Sequence, residues 1–138
     1  MKKIDLEWLI YAEPKVVYEA LTVAKIIEKW TGEDAVFELK KGGHVELFGG
    51  WVVGDVIDFK KNESISFTWK PSEWDKKAKP SIVKYRLEKD NAGTKLIVEH
   101  ENFPSEIEAK KHKDGWVNHV FDPLNDYLIL GAPQKVDL

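Results

Sequence analysis

The chain has 138 residues, a length that fits a single domain with its own hydrophobic core. Its 21 lysine and arginine residues nearly balance 24 aspartate and glutamate residues, and the net charge of −3 disfavours a nucleic-acid partner. The sequence has no cysteine, which excludes disulfides, thiolate metal sites and cysteine nucleophiles. No apolar run approaches the ~18 residues of a membrane span and no apolar signal core follows the N-terminus, so we expect a cytoplasmic protein with no membrane partner.

The N-terminal part of the chain predicts one strand followed by two short helices. Apolar and polar residues alternate over residues 4–10, which is typical of a half-buried strand. Pro14 is placed to open a helix, because proline is tolerated in the first helical turn. A second short helix is predicted over residues 24–30, where apolar residues return at helical spacing.

From about residue 35 the hydrophobic period changes to two, which predicts a series of strands. We place them over residues 35–39, 44–49, 51–60, 64–70, 83–88 and 95–100. Short turn signals separate most of them, for example Gly42-Gly43 and residues 90–93. Because turns of this length join antiparallel neighbours, they predict an antiparallel meander.

The C-terminal part predicts one long helix from Ser105 to about Leu130. Ser105 and Glu108 have the spacing of a capping box. Pro123 has no N–H for the carbonyl of His119, so we predict a kink there. Apolar residues at spacings typical of a helix form a stripe suited to lie on a sheet: Trp116, Val117, Val120, Phe121, Leu124 and Leu128.

The order of elements predicts an α+β fold. A curved antiparallel sheet is expected to wrap around the long C-terminal helix, with the two short helices after the first strand closing one end. Such an arrangement leaves a space between sheet and helix wherever side chains do not fill it.

Three groups of segments carry a family resemblance. They are residues 12–22 with Trp30; Gly42-Gly43, Gly54-Asp55-Val56 and Phe67-Thr68-Trp69; and residues 93–96 with His100, Gly115-Trp116 and Leu124. In this order they resemble the helix-grip superfamily of START-like (SRPBCC) domains, and more narrowly the activator of heat-shock-protein-90 ATPase homologue family. The resemblance implies a single START-like domain over residues 1–138. Because the family pattern marks structure and not a catalytic set, it implies ligand binding or protein interaction.

His100 is the most informative polar residue of the strands. It shares a face with Leu96 and Val98 and should point inward, where an imidazole can orient a ligand or act as an acid or base. The favoured interpretation is a hydrogen-bonded core histidine. Tyr85 also points inward, and its hydroxyl needs a partner if it is buried. We predict an apolar pocket beneath the long helix, with His100 and Tyr85 as its polar groups, and these ligand-binding residues: Trp69, Tyr85, His100, Trp116 and Val120.

No pattern in the sequence predicts a metal, a cofactor or a catalytic set. There is no His-Glu-x-x-His, and His112 and His119 are seven residues apart, too far for ligands on adjacent helical turns. There is also no Gly-x-Ser-x-Gly and no phosphate loop. Trp74 lies in the polar loop over residues 70–80, and it either folds back over the cavity mouth or contacts a partner.

Three functions therefore stand in order. The first is binding of a small hydrophobic or aromatic ligand in a cavity between the sheet and the C-terminal helix. The alternative is a protein-interaction module of cochaperone type with a chaperone partner, which only the resemblance suggests. The third is an enzyme acting on a hydrophobic substrate, which has the least support because a fold does not define a reaction. A monomer and a homodimer both fit the sequence.

Overall fold

The computed structural model describes residues 2–130. Strand β1 (Lys3–Ile10) leads into helices α1 (Pro14–Thr22) and α2 (Ala24–Thr31). Six strands follow: β2 (Val36–Phe37), β3 (His44–Leu47), β4 (Val52–Lys60), β5 (Ser64–Pro71), β6 (Ser81–Asp90) and β7 (Gly93–Glu101). The chain then forms one long helical segment: α3 (Glu106–Trp116), a π-helical turn (Val117–Phe121) and α4 (Asp122–Leu130).

The seven strands form one antiparallel sheet in the order β1-β7-β6-β5-β4-β3-β2. This confirms the predicted α+β fold and its meander. The strand predicted over residues 35–39 is shorter than expected, with only two residues in β2. The chain turns there because the N–H of Lys40 bonds to the carbonyl of Glu38, and the N–H of Gly43 bonds to the carbonyl of Lys40.

The hydrophobic core lies between the sheet and the long helix. Alternate residues of β5, β6 and β7 are buried on the face that the helix covers. The ring of Trp116 lies 5.2 Å from that of Trp69 and 5.8 Å from that of Tyr85. Further along the helix, Phe121 stacks on Trp8 of β1 at 5.2 Å. Aromatic contacts thus attach the helix to four of the seven strands.

A π-helical turn stands where a kink was predicted at Pro123. The N–H of Asp122 bonds to the carbonyl of Val117, five residues back, instead of four. The wider turn precedes the proline, which has no N–H to continue the α-helical pattern. Val120 and Phe121, which are adjacent in this turn, are both buried.

Asn125 attaches the end of the helix to the end of β1. Its side-chain Nδ2 donates to the carbonyl of Leu9 at 2.9 Å, and its Oδ1 accepts from the N–H of Tyr11 at 2.9 Å. The amide is buried, so both of its polar atoms find partners inside the protein. Within residues 2–130, no helix has both the length and the apolar character needed to cross a bilayer.

Gly54 stands where β4 approaches β5 too closely for any side chain. A Cβ atom at Gly54 would lie 1.8 Å from the carbonyl oxygen of Thr68, closer than real Cβ atoms come to backbone. At Gly115, in contrast, no described atom lies within 4 Å of the position a Cβ would take. The two glycines therefore have opposite steric surroundings.

We predict that Gly54→Ala lowers the free energy of unfolding by about 1–3 kcal/mol, because β4 and β5 must separate to admit the methyl group. Gly115→Ala is the matched control, and it should raise that free energy by about 1 kcal/mol because alanine is the better helix former. Urea unfolding followed by circular dichroism measures both variants. A Gly54→Ala protein as stable as the parent would contradict the close approach of the strands.

Candidate functional site

A cleft of about 550 Å³ opens between the long helix and the end of β5. Aromatic rings form most of its walls: Phe48, Trp51, Trp69 and Trp116. Val120, Gly115 and the imidazole of His112 complete the lining. Charged and polar side chains surround them: Glu33, Glu73, Glu108, Lys111, Asp114, Asn118 and His119.

Trp51 is held in the cleft wall by a tight turn between β3 and β4. Three consecutive residues of this turn have left-handed backbone, with φ of 55° at Phe48, 68° at Gly49 and 91° at Gly50. The indole Nε1 of Trp51 donates to a carboxylate oxygen of Glu73 at 2.6 Å. Trp51 is 37% exposed, so its ring is a fixed aromatic surface that solvent reaches.

A chain of hydrogen bonds behind the cleft connects the helix to the sheet through His100. The indole Nε1 of Trp116 donates to Nδ1 of His100 at 3.1 Å. Since the indole is only a donor, Nδ1 is the acceptor and the neutral ring carries its proton on Nε2. That Nε2 lies 2.8 Å from Oγ of Ser81, and the hydroxyl of Ser81 donates to the carbonyl of Trp69 at 2.6 Å.

His112 makes a second connection of the same kind. Its Nε2 accepts from the indole Nε1 of Trp69 at 3.1 Å, so its proton is on Nδ1, which donates to the carbonyl of Glu108 at 2.9 Å. The imidazole ring stacks on that of Trp51, with centroids 6.2 Å apart and an angle of 18° between the planes. The histidine thus binds a β5 indole and supports the exposed wall of the cleft.

Both imidazoles are neutral because they are buried. Burial lowers the pKa of His100 well below its ordinary value, and the neighbouring His112 lowers it further. Burial also lowers the pKa of His112, although the carbonyl and carboxylate of Glu108 act in the opposite direction. Protonating either ring would place an N–H donor against an indole N–H donor. Each hydrogen bond from an indole therefore requires the neutral imidazole.

Trp74 folds back onto the protein, as one of the two sequence expectations had it. It is 8% exposed and packs with Phe103 and Ala109 in a small cluster beside the main core. Its indole Nε1 donates to Oε1 of Glu108 at 2.9 Å. The predicted cap of α3 forms through the Glu108 N–H, which donates to Oγ of Ser105 at 3.2 Å.

The structure places the five predicted ligand-binding residues in three different positions. Trp69, Trp116 and Val120 line the cleft. Tyr85 lies outside this cleft, on a separate void of about 10 Å³ in the core. His100 lines neither space and is fully buried behind the Trp116 wall, in agreement with the interpretation of a hydrogen-bonded core histidine. The binding role of the five residues stays a prediction.

Three cleft residues were missed by the sequence reasoning: Phe48, Trp51 and His112. His112 had a usable signal, because it lies four residues after Glu108 and four before Trp116 and so shares one helix face with both. The sequence analysis compared it only with His119. Phe48 and Trp51 had no such signal, since the turn that orients them depends on left-handed backbone and not on a repeating pattern.

We predict that acid destabilises this protein through the two buried histidines. Because the pKa values of His100 and His112 are lowered in the folded state, the unfolded chain takes up these protons first as the pH falls. The stabilisation is complete above about pH 6.5, and below it decreases by at most about 1.4 kcal/mol per pH unit for each histidine. Urea unfolding at a series of pH values measures the slope.

His112→Gln should reduce that slope, because one titrating group is removed. The exposed His119 provides the matched control, and His119→Gln should leave the slope unchanged. Free energies of unfolding that do not vary between neutral pH and about pH 5 would contradict the assignment of two buried neutral imidazoles.

The fold and the cleft define a class of protein. A curved antiparallel sheet around a long C-terminal helix, with two short helices after the first strand, is the helix-grip architecture of START-like domains. Residues 11–128 match the model of one family within it, described as activator of Hsp90 ATPase homolog 1-like protein. This match extends over most of the chain, so the chain belongs to that family, as the resemblance predicted.

Several known proteins are similar to this chain. The activators of 90 kDa heat shock protein ATPase homolog 1 from Mus musculus and Homo sapiens are each 24% identical to it over 130 residues, or 94% of this chain. The chain spans 38% of the length of these curated relatives.

Solved structures show the same fold. PFC0360w, an HSP90 activator from Plasmodium falciparum, is 27% identical with a TM-score of 0.79, covering 95% of this chain and 97% of that one. Protein MLL2253 from Mesorhizobium loti is 25% identical with a TM-score of 0.79, covering 93% of this chain and 97% of that one. The Aha1 dimer from Colwellia psychrerythraea, at 21% identity and a TM-score of 0.77, covers 95% of this chain and 98% of its own and is a likeness of fold alone.

Proposed function

We propose that this chain binds a small hydrophobic or aromatic molecule in the cleft between the sheet and the long helix. The observation that carries the proposal is the cleft itself, about 550 Å³ in volume and walled by four aromatic rings. That volume lies within the range of about 300–1,000 Å³ typical of small-molecule sites. Aromatic walls offer a large apolar contact area with few rotatable bonds.

The walls of the cleft are already in place without a ligand. Trp69 and Trp116 are each held by a hydrogen bond to an imidazole, and Trp51 by one to Glu73. Side chains that are fixed beforehand lose little conformational freedom when a ligand arrives, so more of the contact energy appears as affinity.

Gly115 keeps the helix side of the cleft open. It lines the cleft, and no described atom lies within 4 Å of the position where a Cβ would stand. The lack of a side chain at this point, one residue before Trp116, leaves room that a ligand can occupy.

The cleft histidine favours binding over catalysis. Both ring nitrogens of His112 are used in bonds within the protein, one to Trp69 and one to the carbonyl of Glu108. An imidazole that exchanges protons with a substrate needs a ring nitrogen within reach of it. The arrangement of His112 supports the shape of the site.

We predict that Gly115→Leu blocks the cleft. The parent protein should bind a neutral apolar probe such as N-phenyl-1-naphthylamine with a dissociation constant in the micromolar range, about −8 kcal/mol. A leucine at residue 115 fills part of the cleft and should weaken the affinity by about tenfold or more. Probe fluorescence, together with quenching of tryptophan emission, measures both proteins.

Lys113→Leu is the matched control, because it adds the same side chain on an exposed part of α3 outside the cleft lining. It should leave probe affinity unchanged. A parent protein that binds no apolar probe, or a Gly115→Leu variant that binds as well as the parent, would remove the support for ligand binding.

A second candidate function is an interaction with the chaperone Hsp90. Membership in the family favours it, and so do the printed names of the relatives, which describe activators of a heat shock protein ATPase. Because this chain spans 38% of the curated relatives, the activity of those whole proteins is a proposal for it.

The chaperone proposal predicts a measurable effect on ATP hydrolysis. Adding this protein to purified Hsp90 from the same organism should raise the ATPase rate and produce a complex on a sizing column. Gly115→Leu serves as the internal comparison, since it alters the cleft and leaves the fold intact. An unchanged rate with no complex would remove this second candidate and leave ligand binding unaffected.

A further inference from the structure

We propose that the molecule the cleft accepts is a planar aromatic cation. This inference rests on the proposed function and specifies the chemical class of its ligand. Three observations support it: the indole N–H groups around the cleft are already bonded, carboxylates outnumber cations at its rim, and the aromatic walls meet at a large angle.

The cleft offers few hydrogen-bond donors to a ligand. The N–H groups of Trp51, Trp69 and Trp116 are bonded to Glu73, His112 and His100 respectively. Each indole has a single N–H, so none of the three walls can donate to an incoming carboxylate, phosphate or carbonyl group. A fatty acid or another anionic lipid would therefore find no donor in the walls for its charged end.

The rim of the cleft is rich in carboxylates. Four acidic side chains belong to it, Glu33, Glu73, Glu108 and Asp114, against the single ammonium group of Lys111. Lys111 lies 3.5 Å from Glu108 and is paired with it. Among residues 2–130, the other three carboxylates have no lysine or arginine partner.

These charges act on a site with apolar walls. A cleft of low polarity lined by one sign of charge concentrates its field on an ion of the opposite sign. A cation above the face of a tryptophan gains a further attraction of about 0.5–2 kcal/mol. Both effects favour a positive ligand over a neutral ligand of the same shape.

The geometry of the walls selects a flat molecule. The rings of Trp51 and Trp69 stand at 88° to each other with centroids 6.3 Å apart, which makes an aromatic corner. A planar ring in that corner can stack on one indole and present its edge to the other, the two arrangements that aromatic pairs prefer. A flexible aliphatic chain gains neither.

One ring system in three charge states tests the inference. Acridine is neutral at neutral pH, 9-aminoacridine is a cation and acridine-9-carboxylate is an anion, and the three share one planar frame. Fluorescence or calorimetric titration should give the order cation, neutral, anion, with the cation about tenfold tighter than the neutral form. The preference should decrease as salt is added, because the rim carboxylates are exposed to solvent.

Paired substitutions locate the effect. Glu73→Gln keeps an acceptor for the Trp51 indole and removes the charge, and Asp114→Asn removes a second charge. The double variant should lose most of the preference for 9-aminoacridine and keep its affinity for acridine. Glu7→Gln, on an exposed carboxylate of β1 outside the cleft, is the control and should change neither affinity.

The outcomes separate the two levels of the proposal. Acridine binding as tightly as 9-aminoacridine, or acridine-9-carboxylate binding most tightly, would overturn the cation class and leave small-molecule binding standing. Failure of all three compounds to bind would overturn the cleft as a ligand site, and the cation class with it.

Discussion

Two buried imidazoles accept hydrogen bonds from two buried indoles, and the rest of the structure depends on these bonds. Trp116 of the helix donates to His100 of the sheet, and Trp69 of the sheet donates to His112 of the helix. The two bonds run in opposite directions across the same interface, so helix and sheet each supply one donor and one acceptor. Burying a polar group without a partner costs about 1–3 kcal/mol, and this arrangement leaves none of the four rings in that state.

The same bonds determine the character of the cleft. They hold Trp69 and Trp116 in fixed orientations, and Trp51 stacks on the imidazole of His112. They also use up the N–H groups of these two indoles, so the walls present π faces and not donors. The carboxylates at the rim then supply the charge of the site. A core interaction between helix and sheet thereby shapes a surface feature several residues away.

Much of the fold was predictable because it depends on repeating patterns. Alternation along β5 to β7 indicated which residues face inward, His100 included, and the spacing from Trp116 to Leu128 indicated the helix stripe. The features that escaped prediction depend on single local conformations: the left-handed turn that orients Trp51, and the π-helical turn before Pro123. The pocket prediction included Tyr85 and His100 because an inward direction on a strand does not distinguish a packed core position from a cavity wall.

The protonation state of the two histidine rings tests the central claim most directly. Long-range proton–nitrogen NMR correlation on nitrogen-15-labelled protein identifies which ring nitrogen carries the proton at each pH. The account predicts neutral rings at neutral pH, protonated on Nε2 in His100 and on Nδ1 in His112, and still neutral when the pH falls below the ordinary histidine pKa of about 6.5. A doubly protonated ring at neutral pH, or the opposite tautomer in either residue, would contradict it.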